Sequence, residues 1–234
     1  MRRLYEKNEV LFAVVWILVY CLIMAPLRGE FGDGSLQCLL ATSVYALCIF
    51  LFVKTSHLED KYGINRGPKN LKKCLYFIPM WVLATGNIWD GFSLSYTGVS
   101  LLYATIVMAL IGFIEEMLFR GFLFRAMIPE NGIVVSIIVS SLTFGIGHIV
   151  NLFSGQASFE TIMQIVFAIS WGFLFTMVYY RGESLIPCII AHSMIDVLSL
   201  YGTDTLTGDW IYICTTIVVS ILYCIYLCRI KTDQ

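Results

Sequence analysis

The chain has 234 residues, of which 59% are hydrophobic and only 13% are charged, against about 45–50% and about 25% in an ordinary soluble domain. This composition excludes an ordinary soluble protein and makes the lipid bilayer the solvent in which the chain must fold. Fifteen Lys and Arg residues against sixteen Asp and Glu residues give a net charge of −1, so no overall field favours nucleic acid as a partner.

The N-terminus resembles a secretory signal, because basic residues precede an apolar stretch. That stretch ends in Ala25-Pro26-Leu27 and not in a small-x-small cleavage site, so we interpret it as a first spanning helix. The third apolar stretch, from Cys74 to about Trp89, is short and contains Pro79 and Gly86, so we expect it to be kinked or tilted. In all, eight spans are predicted, beginning near Val10, Ser35, Cys74, Gly98, Ile133, Ile162, Ser184 and Trp210.

The Lys and Arg residues outside the spans predict the orientation, because short cytoplasmic loops retain them. With the N-terminus inside, thirteen fall in cytoplasmic segments and only Arg28 falls outside. We therefore expect one transmembrane domain over 1–234, with both termini in the cytoplasm. The short loops and compact length favour a bacterial cell membrane. The thirteen residues are Arg2, Arg3, Lys7, Lys54, Lys61, Arg66, Lys69, Lys72, Lys73, Arg125, Arg181, Arg229 and Lys231.

Several ionisable side chains lie inside the predicted spans, where each charge costs about 2.5–3.5 kcal/mol on insertion. They must therefore neutralise one another or face a water-filled cavity. At a rise of about 1.5 Å per residue, the fourth, fifth and seventh spans all place such residues at mid-membrane depth. One shared site is thus possible. The residues are Glu115, Glu116 and Arg120, then His148, then His192 and Asp196.

Helical spacing predicts different roles for the two adjacent glutamates. Glu116 and Arg120 are four residues apart, with the acid first, which is the favourable order for an ion pair. Glu115 points about 100° away and is left free to bind water. Burial beside a second carboxylate disfavours its charged form, a condition that suits a general base. With imidazoles nearby, such a set can activate water and stabilise an oxyanion in amide hydrolysis.

Three motifs carry this set. Glu115-Glu116-Met117-Leu118-Phe119-Arg120 fits E-E-x-x-x-R, Phe144-Gly145-Ile146-Gly147-His148 fits F-x-x-x-H, and His192-Ser193-Met194-Ile195-Asp196 fits H-x-x-x-N/D. Together, in this order and in separate spans, they resemble the CAAX protease and bacteriocin-processing family, also called the Abi family of intramembrane glutamic endopeptidases. The resemblance covers about 98–201.

The resemblance implies a metal-independent protease of about eight helices whose site opens to the cytosolic side. Its substrate would be a membrane-associated peptide or protein tail. The family spans CAAX-type processing of prenylated proteins, maturation of secreted peptides and bacteriocin self-immunity, and no residue chooses among them. Matched residue by residue, the motifs imply that Glu115 activates water with His148. Glu116 and Arg120 would support the site. His192 and Asp196 would lie near the oxyanion.

The chain has Asp196 where other members have Asn, and an ionised Asp there would repel an oxyanion. Either Asp196 is protonated, or it orients and charges His192 while the imidazolium stabilises the oxyanion. We favour the second hypothesis. Asn151 lies on nearly the same helix face as His148, and either a contribution to the site or a helix-end cap would explain it.

Other interpretations compete with a protease. Two His and two Glu residues could hold zinc, but there is no H-E-x-x-H and Arg120 would compete with a cation, so we predict neither metal nor cofactor. A proton-coupled transporter also buries charged residues, yet no inverted repeat is visible. A non-catalytic immunity or scaffold protein would retain the motifs for folding. The cysteines, without a C-x-x-C pair, are interpreted as packing residues.

Overall fold

A computed structural model describes residues 1–154, 157–203 and 205–231. Within these ranges the chain is helical apart from its loops, and the one extended pairing is an isolated bridge between Phe92 and Gly202. The predicted all-α polytopic fold is confirmed. The α-helices are α1 (Arg2–Lys7), α2 (Glu9–Phe31), α3 (Leu36–Thr55), α4 (Glu59–Tyr62), α5 (Ile78–Ala84), α6 (Gly98–Glu116), α7 (Arg125–Gly147), α8 (Ser158–Gly182), α9 (Ile186–Ser199) and α10 (Leu206–Arg229).

Five helical segments of the described chain are long and apolar enough to cross a membrane. Two further apolar helical segments, Leu75–Ala84 and Ile186–Ser199, are shorter. Together these segments correspond to the predicted spans. The five are Glu9–Phe31, Leu36–Thr55, Gly98–Leu152, Ser158–Gly182 and Leu206–Arg229.

The segment Gly98–Leu152 is a hairpin of two helices. Its 55 residues would extend about 80 Å if straight, well beyond a hydrocarbon core of about 30 Å. Gly132 divides it, because its φ of 74° lies in the left-handed region that favours glycine. The helices 98–131 and 133–147 therefore correspond to the predicted fourth and fifth spans.

The predicted third span is a broken helix, as expected. Its α-helical part, α5, has seven residues and extends about 10 Å, a third of the hydrocarbon thickness. The Tyr223 hydroxyl, near the end of α10, donates to the carbonyl of Cys74. The Asn87 amide donates to the carbonyl of Ile195, near the end of α9, at 2.8 Å. The segment between Cys74 and Asn87 thus takes the chain from one end of the bundle to the other without a full-length helix.

Close contacts between small residues fix the helices that carry the motifs. α6 packs against α3 and α9, and α8 packs between α7 and α10. The Ser193 hydroxyl of α9 donates to the carbonyl of Ala109 in α6 at 2.8 Å. A Cβ atom at Gly112 would lie 2.5 Å from the backbone nitrogen of Ser193. Glycine at position 112 therefore lets α9 approach α6 closely, which brings the third motif beside the first.

We expect Gly112→Ala to lower the melting temperature of the purified protein in detergent. The added Cβ has no space, and overpacking of this kind costs about 1–3 kcal/mol. Gly67→Ala is the matched control, because no described atom lies within 4 Å of a Cβ at that position. Equal melting temperatures for the two variants would contradict the close approach of α6 and α9.

The predicted cytoplasmic basic residues gather at one end of the bundle, which we call the basic end and define by the thirteen Lys and Arg residues named above. Lys61 contacts Glu9 at 2.5 Å, at the start of α2. The Arg181 guanidinium donates to the carbonyl of Cys228, near the end of α10, at 3.0 Å. Lys69 donates to Glu183, just after α8, at 2.8 Å, and this hydrogen bond holds the pKa of Glu183 below its usual value.

Candidate active site

Two adjacent carboxylates lie where the helix geometry changes. Glu115 and Glu116 end α6, and the next residues, Met117–Phe124, form a π-helical stretch before α7. Single π-helical turns within α-helices are frequent at functional sites. This π-helical stretch carries Arg120. The whole first motif therefore lies on one continuous helical segment between Gly98 and Gly132.

Glu116 and Arg120 form a fully buried ion pair, as their spacing predicted. The Nη1 atom of Arg120 lies 2.8 Å from Oε1 of Glu116, and both side chains are 0% exposed. The Nη2 atom of Arg120 donates to the carbonyl of Gly172 in α8 at 3.3 Å. The guanidinium carbon also lies 4.2 Å from the ring centre of Phe144, within cation–π range. The pair therefore joins the first motif to α8 and to the second motif.

His192 is held by the same carboxylate. Its Nδ1 atom lies 2.9 Å from Oε1 of Glu116. Because an ionised carboxylate can only accept, Nδ1 is the donor in this bond. The imidazole stacks on the ring of Phe175 at 5.5 Å and 27°, and it meets Phe144 edge-on at 5.6 Å. The ring orientation of His192 is thus fixed by a hydrogen bond and two aromatic contacts.

The fixed ring directs Nε2 of His192 towards two other carboxylates. Oε2 of Glu115 lies 3.7 Å away and Oδ2 of Asp196 lies 3.6 Å away, both longer than a direct hydrogen bond. The other oxygen of Glu115 accepts from the Tyr20 hydroxyl at 3.1 Å. Glu115 is 9% exposed, so it reaches the cavity while Glu116 beneath it does not.

His148 lies apart from this hydrogen-bonded set. It begins the 3-10 helix His148–Ser154 after α7, and its ring meets Phe144 edge-on at 5.6 Å. Within the described chain its side chain makes no hydrogen bond or ion pair. It lines the same cavity as Glu115. Asn151, which also lines this cavity, donates to Oε1 of Gln164 at 2.7 Å.

A cavity of about 870 Å³ connects the candidate residues. Its volume lies in the range of ordinary ligand pockets, and a peptide segment of a few residues is of that size. Apolar and aromatic side chains make up much of its wall. The candidate residues that line it are Tyr20, Glu115, His148, His192 and Asp196.

The structure places the predicted site residues in one region. Glu115, Glu116, Arg120, His192 and Asp196 form one cluster, and His148 shares the cavity with it. The carboxylate at hydrogen-bond distance from His192 is Glu116, whereas Asp196 lies farther away.

Sequence reasoning did not identify Tyr20 or Phe175, both of which contact site residues. Tyr20 lies in α2 and Phe175 in α8, outside the three motifs. Tyr20 carries a hydroxyl group near the middle of a spanning helix, and this polar group was the one sequence feature that could have indicated a role in the site. Phe175 has no polar group, and nothing in the sequence around it distinguishes it from an ordinary core residue.

In residues 1–154, 157–203 and 205–231 no group of three or more His, Cys, Asp or Glu side chains has a metal-binding arrangement. All eight cysteines are free thiols. Cys21 is the cysteine that lines the cavity among the described residues.

The fold and the site define a polytopic membrane protein with a buried carboxylate and imidazole cluster at the base of a cavity. Residues 97–198 match the family model of the type II CAAX prenyl endopeptidase Rce1-like proteins. The matched range contains all three motifs, and it confirms their resemblance to the CAAX protease and bacteriocin-processing family. This part of the chain is thus related to CAAX-type intramembrane proteases, which act on peptide or protein substrates. A comparison with curated proteins found no match.

Proposed function

We propose that the protein is an intramembrane endopeptidase that hydrolyses a peptide bond with a water activated by Glu115 and His148. The observation that carries this proposal is the position of Glu115. Its carboxylate borders the cavity, accepts from Tyr20 at 3.1 Å, and pairs with no Lys or Arg of the described chain, whereas the adjacent Glu116 is neutralised by Arg120 at 2.8 Å. Two neighbouring carboxylates in different surroundings suit different chemical roles.

The reaction needs one proton acceptor and one region of positive potential. Glu115 takes a proton from water as the water oxygen bonds to the scissile carbonyl carbon. His148 holds this water beside Glu115. The carbonyl oxygen becomes an oxyanion, which Nε2 of His192 stabilises as the donor of an imidazolium, since Nδ1 already donates to Glu116. When the carbon–nitrogen bond breaks, the proton held by Glu115 passes to the leaving nitrogen. Proton and water are thus fully accounted for without a metal.

Tyr20 and Glu116 act as positioning residues in this mechanism. Tyr20 holds one oxygen of Glu115, which leaves the other oxygen available for water. Glu116 accepts from Nδ1 of His192 and so fixes which nitrogen of that ring faces the cavity. A hydrogen bond to the second ring nitrogen commonly sets the tautomer of a functional histidine.

The test is cleavage of a membrane-presented peptide library by the purified, detergent-solubilised protein, with chelator present throughout. Mass spectrometry of the products identifies the cleaved bonds. We expect discrete cleavage sites with wild type and none with His148→Asn. His57→Asn is the matched control, because His57 is a loop residue with a positive φ of 54° that Asn also tolerates. Equal cleavage by the two histidine variants would exclude His148 from the reaction.

The two carboxylates around His192 are expected to differ in their effects. We expect Asp196→Asn to lower kcat by less than about tenfold, because its 3.6 Å separation from Nε2 is longer than a hydrogen bond. Glu116→Gln removes a charged hydrogen bond worth about 1.5–3 kcal/mol, and its kcat is expected to fall further. The kcat of both variants on one cleaved peptide provides the comparison. A larger loss for Asp196→Asn would instead give its negative charge the main orienting role.

A further inference from the structure

The cavity extends from the site residues to one end of the bundle. Above the site residues, its wall is made by the same end of each helix. Arg28 lies in the last turn of α2, Glu160 in the first turn of α8, and Asp209 in the first turn of α10. Ser199 ends α9 and Asn151 follows α7. Because neighbouring helices alternate in direction, these positions all belong to the end opposite the basic end.

The contacts of the basic residues establish this opposition independently of any membrane argument. Lys61 reaches the beginning of α2, whereas Arg28 near its end lines the cavity. Arg181 near the end of α8 reaches the end of α10, whereas the beginnings of both helices line the cavity. The basic end and the cavity mouth are therefore separated by the full length of α2, α8 and α10.

The distribution of charge then gives the orientation. Lys and Arg in short loops and near helix ends are retained in the cytoplasm, and thirteen such residues form the basic end against Arg28 at the other. With the basic end in the cytoplasm, the cavity opens on the opposite face of the membrane. The family resemblance implies a cytosolic opening, and the charges predict cytoplasmic termini. In this fold the two expectations are incompatible.

The cavity wall also selects for charge. Among its described residues Arg28 is the one Lys or Arg, and its guanidinium contacts the carboxylate of Asp33 at 2.5 and 3.1 Å. A cleft whose charged side chains are mostly of one sign concentrates the electrostatic field on an incoming ligand. The wall therefore favours a cationic peptide over an anionic one. The acidic residues that line it are Asp33, Glu115, Glu160, Asp196 and Asp209.

We propose that the site takes its substrate from the extracytoplasmic side of the membrane, and that this substrate is a peptide segment with net positive charge. The proposal rests on the peptidase function proposed above. It places the reaction after export: the segment that is cut has already crossed or emerged from the membrane, so that a translocation step must supply it.

The side of entry is tested by labelling added cysteines with a membrane-impermeant maleimide, which does not depend on catalysis. The unaltered chain with its native cysteines gives the background. We expect Glu160→Cys, at the cavity mouth, to be labelled in intact cells. Lys7→Cys, at the basic end, is expected to be labelled only after permeabilisation. The reverse pattern would overturn the proposed entry side and leave the peptidase function standing.

The charge preference is tested on a peptide that the protein cleaves, made in Lys-bearing and Glu-bearing versions. We expect wild type to favour the Lys version by about tenfold in kcat/KM, as for other electrostatically steered ligands. Glu160→Lys should reduce this ratio, whereas Glu130→Lys, an exposed change near the Gly132 turn, should leave it unchanged. A ratio near one for wild type would overturn the charge preference. Failure to cleave any peptide would contradict the proposed function itself, independently of the labelling result.

Discussion

Glu115→Gln is expected to lower kcat by about 10²–10⁴-fold, the usual contribution of a general base, while the protein folds normally. Gln has nearly the same shape as Glu, and its amide oxygen can still accept from the Tyr20 hydroxyl that lies 3.1 Å from the carboxylate. What Gln cannot do is take a proton from water. The change therefore separates the chemistry of the side chain from its packing.

The measurement is kcat on the peptide identified by the library, with the melting temperature of each variant measured alongside. Glu30→Gln is the matched control, because Glu30 is an exposed carboxylate near the end of α2. Tyr20→Phe, which keeps the carboxylate but removes its hydrogen bond, should lose less activity and should shift the pH profile of kcat. A Glu115→Gln protein with wild-type kcat would exclude Glu115 as the base.

Arg120→Met is expected to destabilise the protein by about 3–5 kcal/mol, the typical cost of removing one partner from a buried ion pair. Arg120 and Glu116 are both fully buried at 2.8 Å, so the remaining carboxylate would have no water to solvate it. The guanidinium also packs 4.2 Å from the Phe144 ring, and Met restores only the apolar part of that contact. Denaturant unfolding in detergent measures the loss.

The double variant Glu116→Gln with Arg120→Met distinguishes a lost charge pair from lost packing. Replacing both members of a buried pair is often nearly neutral, so we expect much of the stability to return. Activity should not return, because Nδ1 of His192 would then lack its carboxylate partner. Additive destabilisation by the two single changes would show that the ion pair has no energetic coupling.

Much of the fold followed from features that depend on one helix at a time. Apolar runs placed the starts of the spans within a few residues of the observed helices, and the spacing of Glu116 and Arg120 predicted their ion pair. A span was also predicted to begin near Ile133, where Gly132 breaks the helix. Each of these depends on local composition or on the helical repeat.

The contacts between helices could not be predicted in this way. The helical repeat gives the face on which His192 lies but not the rotation of α9 against α6, which depends on the contact between Gly112 and Ser193. Consequently the hydrogen bond from His192 to Glu116 could not be predicted. The end at which the cavity opens was likewise hidden, because it requires knowing which faces of several helices leave space between them.

The turn at Gly132 also bears on how the chain is inserted during synthesis. Helix 98–131 carries three charged side chains near its middle, Glu115, Glu116 and Arg120, each costing about 2.5–3.5 kcal/mol if it entered lipid alone. The turn returns the chain at once, so that 133–147 is the next segment to leave the ribosome. Within that hairpin Phe144 covers Arg120, and the Ser140 hydroxyl donates to the carbonyl of Phe119 at 2.9 Å. The translocon can therefore release the two helices as one unit with its charges already shielded, before the histidine of α9 has been translated.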